Sequence, residues 1–207
     1  MERIFCLLIG YLFGCFLTAE VVTRASTGKS ASEIGSGNPG MANVMSNVGK
    51  KQGTIVLVGD ILKTALAMGL SYLLFHGAIG AMSLHWAGLG AVLGHNFPFW
   101  KRFRGGKGVT VTCVWLILGF GGPGIACTLV GALAVFLTGW LPLGAVLIAL
   151  TAVPMAFATT GVEAGLLACV CCVLMFSRHW HGLRRIARGE ERSRMKHFGL
   201  DKKKSEK

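Results

Sequence analysis

The residues with the clearest chemical promise lie in Gly94–Thr110, GHNFPFWKRFRGGKGVT, between two apolar runs. Lys101, Arg102, Arg104 and Lys107 fall within seven positions, with Gly105, Gly106 and Gly108 threaded among them. Glycines allow consecutive backbone N–H groups to face one concavity, a shape that favours phosphate oxygens. A helix starting near Val109 would direct its positive N-terminal end at the same place. The chemistry expected is the holding of a phosphorylated small molecule at a membrane surface, with His95 beside it.

Other stretches could contribute. Gly35-Ser36-Gly37-Asn38-Pro39-Gly40 formally fits G-x-G-x-x-G, but a dinucleotide fingerprint needs a preceding β-strand, and an apolar helix precedes this one. Gly28-Lys29-Ser30 fails as a phosphate loop of the Walker type, because Thr23 stands where its first glycine should be. What remains is a small-residue loop whose Gly35, Ser36, Gly37, Asn38 and Asn43 suit phosphate or glycerol oxygens. Asp60 and Lys63 lie one helical turn apart inside an apolar run, so they pair or line a polar cavity. His179 stands where the last apolar run ends. With His181 it makes a weak metal signal, since no carboxylate or Cys completes a set. All seven cysteines fall in apolar runs without paired C-x-x-C spacing, so neither metal nor disulfide is expected.

The elements that must position these residues are membrane helices. Of 207 residues 53% are hydrophobic and 14% charged, the composition of a polytopic membrane protein. Runs near the ~20 residues needed to cross a bilayer are Ile4–Val22, Thr54–Phe75, Leu84–Trp100, Val109–Thr138, Leu141–Thr160 and Gly161–Phe176. Met1–Val22 reads as a retained span: Glu2 offsets Arg3 and no good cleavage site follows. The net charge of +12 is concentrated beside apolar spans, which marks cytoplasmic faces and anionic lipid rather than nucleic acid. Residues 178–207 hold eleven Lys/Arg against four acids.

Positive-inside sorting puts Arg24–Lys51, Lys101–Lys107 and the tail in the cytoplasm. Parity then requires Val109–Thr138 to cross twice or not at all. Phe120–Gly124, FGGPG, is a strong turn signal, so the fold class expected is all-α integral membrane. It has about seven transmembrane helices, the N-terminus outside and the C-terminus cytoplasmic; five plus a re-entrant pair is the alternative. Residues 1–198 are expected to form a single domain and 199–207 a disordered basic tail. After His179, Leu183, Ile186 and Ala187 recur at helical spacing, as in an interfacial amphipathic helix. Pro142 and Pro154 are expected to kink their helices.

Three segments, GSGNPGMAN, GHNFPFWKRFRGGKGV and HWHGLRRIARGEE, occur in that order on one face. The chain thereby resembles the PlsY family, bacterial acyl-phosphate:glycerol-3-phosphate acyltransferases of the cell membrane. The likeness extends to Tyr11-Leu12-Phe13-Gly14 and to Asp60-Ile61-Leu62-Lys63. It implies transfer of a fatty acyl group from acyl phosphate to the 1-hydroxyl of glycerol 3-phosphate, giving lysophosphatidic acid for phospholipid synthesis without a cofactor. It assigns Ser36, Lys107 and His179 to catalysis. Arg104, Gly105, Gly106 and Gly108 fall to phosphate binding, and Glu191 to a structural role beside Asp60 and Lys63.

Three positions depart from the family pattern. Ser46 stands for an arginine, Gly182 for an asparagine, and Thr138–Pro142 for a basic-aromatic-Ser segment. They leave as one alternative an impaired relative that binds phosphorylated metabolites or uses another acceptor; a small-molecule transporter is a separate alternative. No internal repeat supports the transporter.

Overall fold

The computed structural model describes Met1–Glu191, and its regular structure is helical throughout: nine α-helices and two short 3-10 turns among those residues. The basic tail expected at 199–207 lies outside them. The chain falls into two compact units, Met1–Gly121 and the part from Gly122 onward.

The first unit contains α1 (Glu2–Cys15), α2 (Thr18–Thr27), α3 (Met41–Asn47), α4 (Lys50–Ile79), α5 (Met82–Asn96) and α6 (Val109–Phe120). Lipid tails are as apolar as leucine, so membrane helices associate by close packing of small residues. Here Gly10 and Gly14 of α1 lie on the backbone of Ala87 and Ala91, and Gly90 and Gly94 of α5 lie on that of Leu7 and Tyr11. A side chain at any of the four glycines would overlap a carbonyl oxygen of the facing helix. Ala19, Val44 and Val56 form a small core that seats α3 against α2 and α4.

The first apolar run is not one helix. Phe16 and Leu17 are extended between α1 and α2, and three carbonyls at this break are taken up by side chains from elsewhere. Lys63 Nζ donates to Gly14 O at 3.3 Å and Phe16 O at 2.7 Å, and Trp100 Nε1 donates to Cys15 O at 2.8 Å. Backbone polar groups inside a bilayer must find partners in the protein, and here a cation and an indole supply them.

The second unit contains α7 (Gly122–Thr138), α8 (Leu141–Thr160) and α9 (Val162–Ala187). Gly131 of α7 and Gly144 of α8 lie against one another, and Gly165 of α9 lies on the ring of Phe157. Pro142 occupies the first turn of α8, where a missing N–H costs nothing, so it starts that helix instead of kinking it. The amphipathic stretch after His179 is no separate helix; α9 carries the last span through to Ala187.

The apolar runs read from the sequence fall on α1 with α2 and on α4 to α9, and the turn at Gly121 divides α6 from α7 as FGGPG suggested. Four segments are long and apolar enough to cross a membrane: Glu2–Thr27, Lys50–Ile79, Leu141–Thr160 and Val162–Ala187. Val109–Phe120 and Gly122–Thr138 are shorter apolar helices.

Candidate anion site

The site is built in the first unit from two loops. The first joins α2 to α3 and is shaped by Asn43 of α3. Its Nδ2 donates to Ala31 O at 3.3 Å and Ile34 O at 2.9 Å, while its Oδ1 accepts from Ser36 N at 2.9 Å. Asn43 therefore fixes the backbone that carries Ser36, which is exposed. Ser30 and Glu33 form a reciprocal cap at the start of the same loop, with Ser30 N donating to Glu33 Oε2 at 2.6 Å.

The second loop joins α5 to α6. Arg102 and Phe103 both have positive φ, 51° and 58°, sparsely populated for residues bearing a Cβ. Turn bonds hold them: Lys101 N and Phe103 N donate to Pro98 O at 3.1 and 3.0 Å. Gly105 N donates to Asn96 O at 3.0 Å and Gly106 N to His95 O at 2.9 Å. The expected nest therefore takes another form. The first two glycine N–H groups tie the loop back onto α5, and α6 begins directly after Gly108. Helix geometry leaves the N–H groups of its first turn without intrahelical acceptors.

Gly106 is where the loops meet. A Cβ there would overlap His95 Nε2 and lie 3.0 Å from Pro39 O, the first loop's carbonyl. His95 is only 4% exposed and is held from behind by the pair foreseen within α4. Lys63 Nζ lies 2.9 Å from Asp60 Oδ1 and 2.9 Å from His95 Nδ1. Facing an ammonium, Nδ1 accepts, so the ring's proton sits on Nε2 toward the glycines. Thr18 Oγ1 adds a bond to Asp60 Oδ1 at 3.4 Å.

Glu20 is a junction that the sequence reading passed over. It is buried, accepts from Ser30 Oγ and Ala31 N at 3.1 Å each and from Arg24 Nε at 2.7 Å, and pairs with Lys101 of the second loop. One carboxylate thus joins α2 to both loops. Its only sequence signal is an acid closing an apolar run. Lys107 is half-buried and Arg104 exposed on the second loop.

In the second unit His179 is 3% exposed, and its Nδ1 lies 2.9 Å from Met175 O. A carbonyl can only accept, so Nδ1 carries the proton. Glu191 accepts from Arg185 Nε at 2.6 Å. A Cβ at Gly182 would overlap the Pro142 ring; Pro142 fills the volume that a larger residue at 182 would need. Among the described residues no three His, Cys, Asp or Glu side chains converge as metal ligands would.

In the first unit apolar helices hold a basic, glycine-lined loop against a second polar loop. The glycerol-3-phosphate acyltransferase family model matches residues 4–189. A glycerol-3-phosphate acyltransferase of Enterococcus faecalis is 33% identical, with all of this chain and 98% of that one covered. That of Paramagnetospirillum magneticum is 37% identical over 92% of this chain and 93% of its own. The crystal structure of PlsY, an integral membrane glycerol 3-phosphate acyltransferase, in its glycerol 3-phosphate form superimposes with a TM-score of 0.83 at 26% identity, covering 96% of this chain and 99% of that one. Its lysophosphatidic acid form gives 0.80 over 93% and 95%. The chain belongs to the glycerol-3-phosphate acyltransferase family, in its PlsY-type membrane branch.

Proposed function

We propose that this chain transfers a fatty acyl group from acyl phosphate to the 1-hydroxyl of glycerol 3-phosphate. The hydroxyl oxygen attacks the acyl carbonyl, the carbon–oxygen bond to phosphate breaks, and the products are lysophosphatidic acid and inorganic phosphate. The hydroxyl proton passes to a base, the role given to His179 Nε2. An acyl phosphate is already activated, so the protein has to place two anions, orient one hydroxyl and stabilise the charge that develops on the carbonyl and the departing phosphate. Lys107 and Arg104 supply cations, the start of α6 supplies a positive dipole, and Ser36 supplies a hydroxyl. The basic loops face the cytoplasm in this reading.

The observation that carries it is the junction at Gly106, where the carbonyl of Pro39 and the ring of His95 close on the glycine loop at the head of α6. Crystals of the PlsY relative in glycerol 3-phosphate and lysophosphatidic acid forms agree with that chemistry. Purified protein given palmitoyl phosphate and labelled glycerol 3-phosphate should form lysophosphatidate. Ser36→Ala, Lys107→Ala and His179→Ala should each abolish it. No product from the unmutated chain would refute the reading.

A binding-only reading rests on Ser46 and Gly182, which stand where the PlsY resemblance places an arginine and an asparagine. Thermal stabilisation by glycerol 3-phosphate without any product would select it.

A further inference from the structure

We propose that Asn96 is a positioning residue for acyl transfer, its carboxamide gaining hydrogen bonds when an oxyanion occupies the start of α6. Asn96 is the last residue of α5 and is fully buried. Among the described residues neither its Oδ1 nor its Nδ2 has a hydrogen-bond partner. A buried amide with nothing to bond is penalised by its lost hydration, and an apolar side chain of the same volume is not. The amide's place in the loop explains what offsets that penalty.

Its main-chain oxygen holds Gly105 N, and its Oδ1 lies 2.7 Å from where a Cβ on Gly108 would stand. One residue thus touches both ends of the Gly105–Gly108 turn. Gly108, at φ 76°, is the residue from which α6 departs. An anion at that helix start draws N–H groups toward itself, and a glycine hinge lets the preceding peptide turn to follow. A carboxamide offers one acceptor and two donors, so it can hold the turned peptide by either its N–H or its C=O. The empty site then carries an unpaired amide, the loaded site a paired one, and Asn96 favours the loaded geometry.

This inference rests on the anion-site reading above. The test uses the full-length protein in detergent with Asn96→Leu and Asn96→Ser, inorganic phosphate and glycerol 3-phosphate as probes, and palmitoyl phosphate turnover. Without ligand, Asn96→Leu should melt at or above the parent temperature. In both variants the upward melting shift given by phosphate should disappear, and KM for glycerol 3-phosphate should rise about tenfold, the loss of one hydrogen bond, with a smaller change in kcat.

Variants that keep the parent's phosphate shift and KM overturn the proposal, whether or not they melt lower, because Asn96 would then be an ordinary packing amide. If Asn96→Leu fails to fold, the Asn96→Ser shift decides alone. A parent that shows no phosphate shift also overturns it. A parent that shifts with phosphate but yields no lysophosphatidate refutes the acyltransferase reading and leaves the Asn96 comparison intact.

Discussion

Glycines in the second loop serve by what they leave out. Gly106 has no Cβ because the His95 ring and the Pro39 carbonyl need that space, and Gly108 adopts a left-handed φ of 76° against Asn96. Gly106→Ala should push the ring away from the loop, weaken its contact with Lys63, and lower lysophosphatidate formation at least about tenfold, as small-to-large changes at packed positions cost ~1–3 kcal/mol. Gly122→Ala meets nothing within 4 Å and should leave the rate unchanged in the same assay. Residue types in this region were legible from sequence, because cations interleaved with glycines have few other uses. Their partners were not. Glu20 meets Lys101 across 81 residues, Lys63 meets His95 across 32, and Trp100 of the second loop meets Cys15 O across 85, and no local pattern records such pairings.

At the scale of elements, helix existence followed from apolar runs, and Leu141–Thr160 matches at both ends. The break at Phe16–Leu17 was hidden, since neither residue is a helix breaker; it is set by tertiary bonds from Lys63 and Trp100 to the freed carbonyls. Helix contacts were hidden for a different reason. The spacings Gly10-x-x-x-Gly14 and Gly90-x-x-x-Gly94 stand in the sequence, but only the fold shows that they face one another. Two departures from the PlsY pattern also meet in the structure. Pro142 opens α8 and occupies the space above Gly182 on α9. Restoring Gly182→Asn alone should therefore destabilise the protein by about 1–3 kcal/mol. Pairing it with Pro142→Ser should recover most of that loss. Melting curves of the two single variants and the double variant measure the coupling.

For the whole molecule, composition and charge distribution were enough to give an all-helical membrane protein, because the bilayer permits few alternatives. One feature sets a depth. Helix α6 has 12 residues, which at ~1.5 Å each span about 18 Å, well short of the ~30 Å of bilayer hydrocarbon. The glycine loop at its head cannot stand at the level of the surrounding headgroups while the other end reaches the far side. Either the lipids thin around it or water follows the loop inward. A substrate whose charged end is joined to a fatty chain could then meet its partner without lifting that chain out of the leaflet. Turnover in vesicles of graded lipid length should peak in thin bilayers and fall as they thicken; a rate indifferent to thickness would place the loop at the surface.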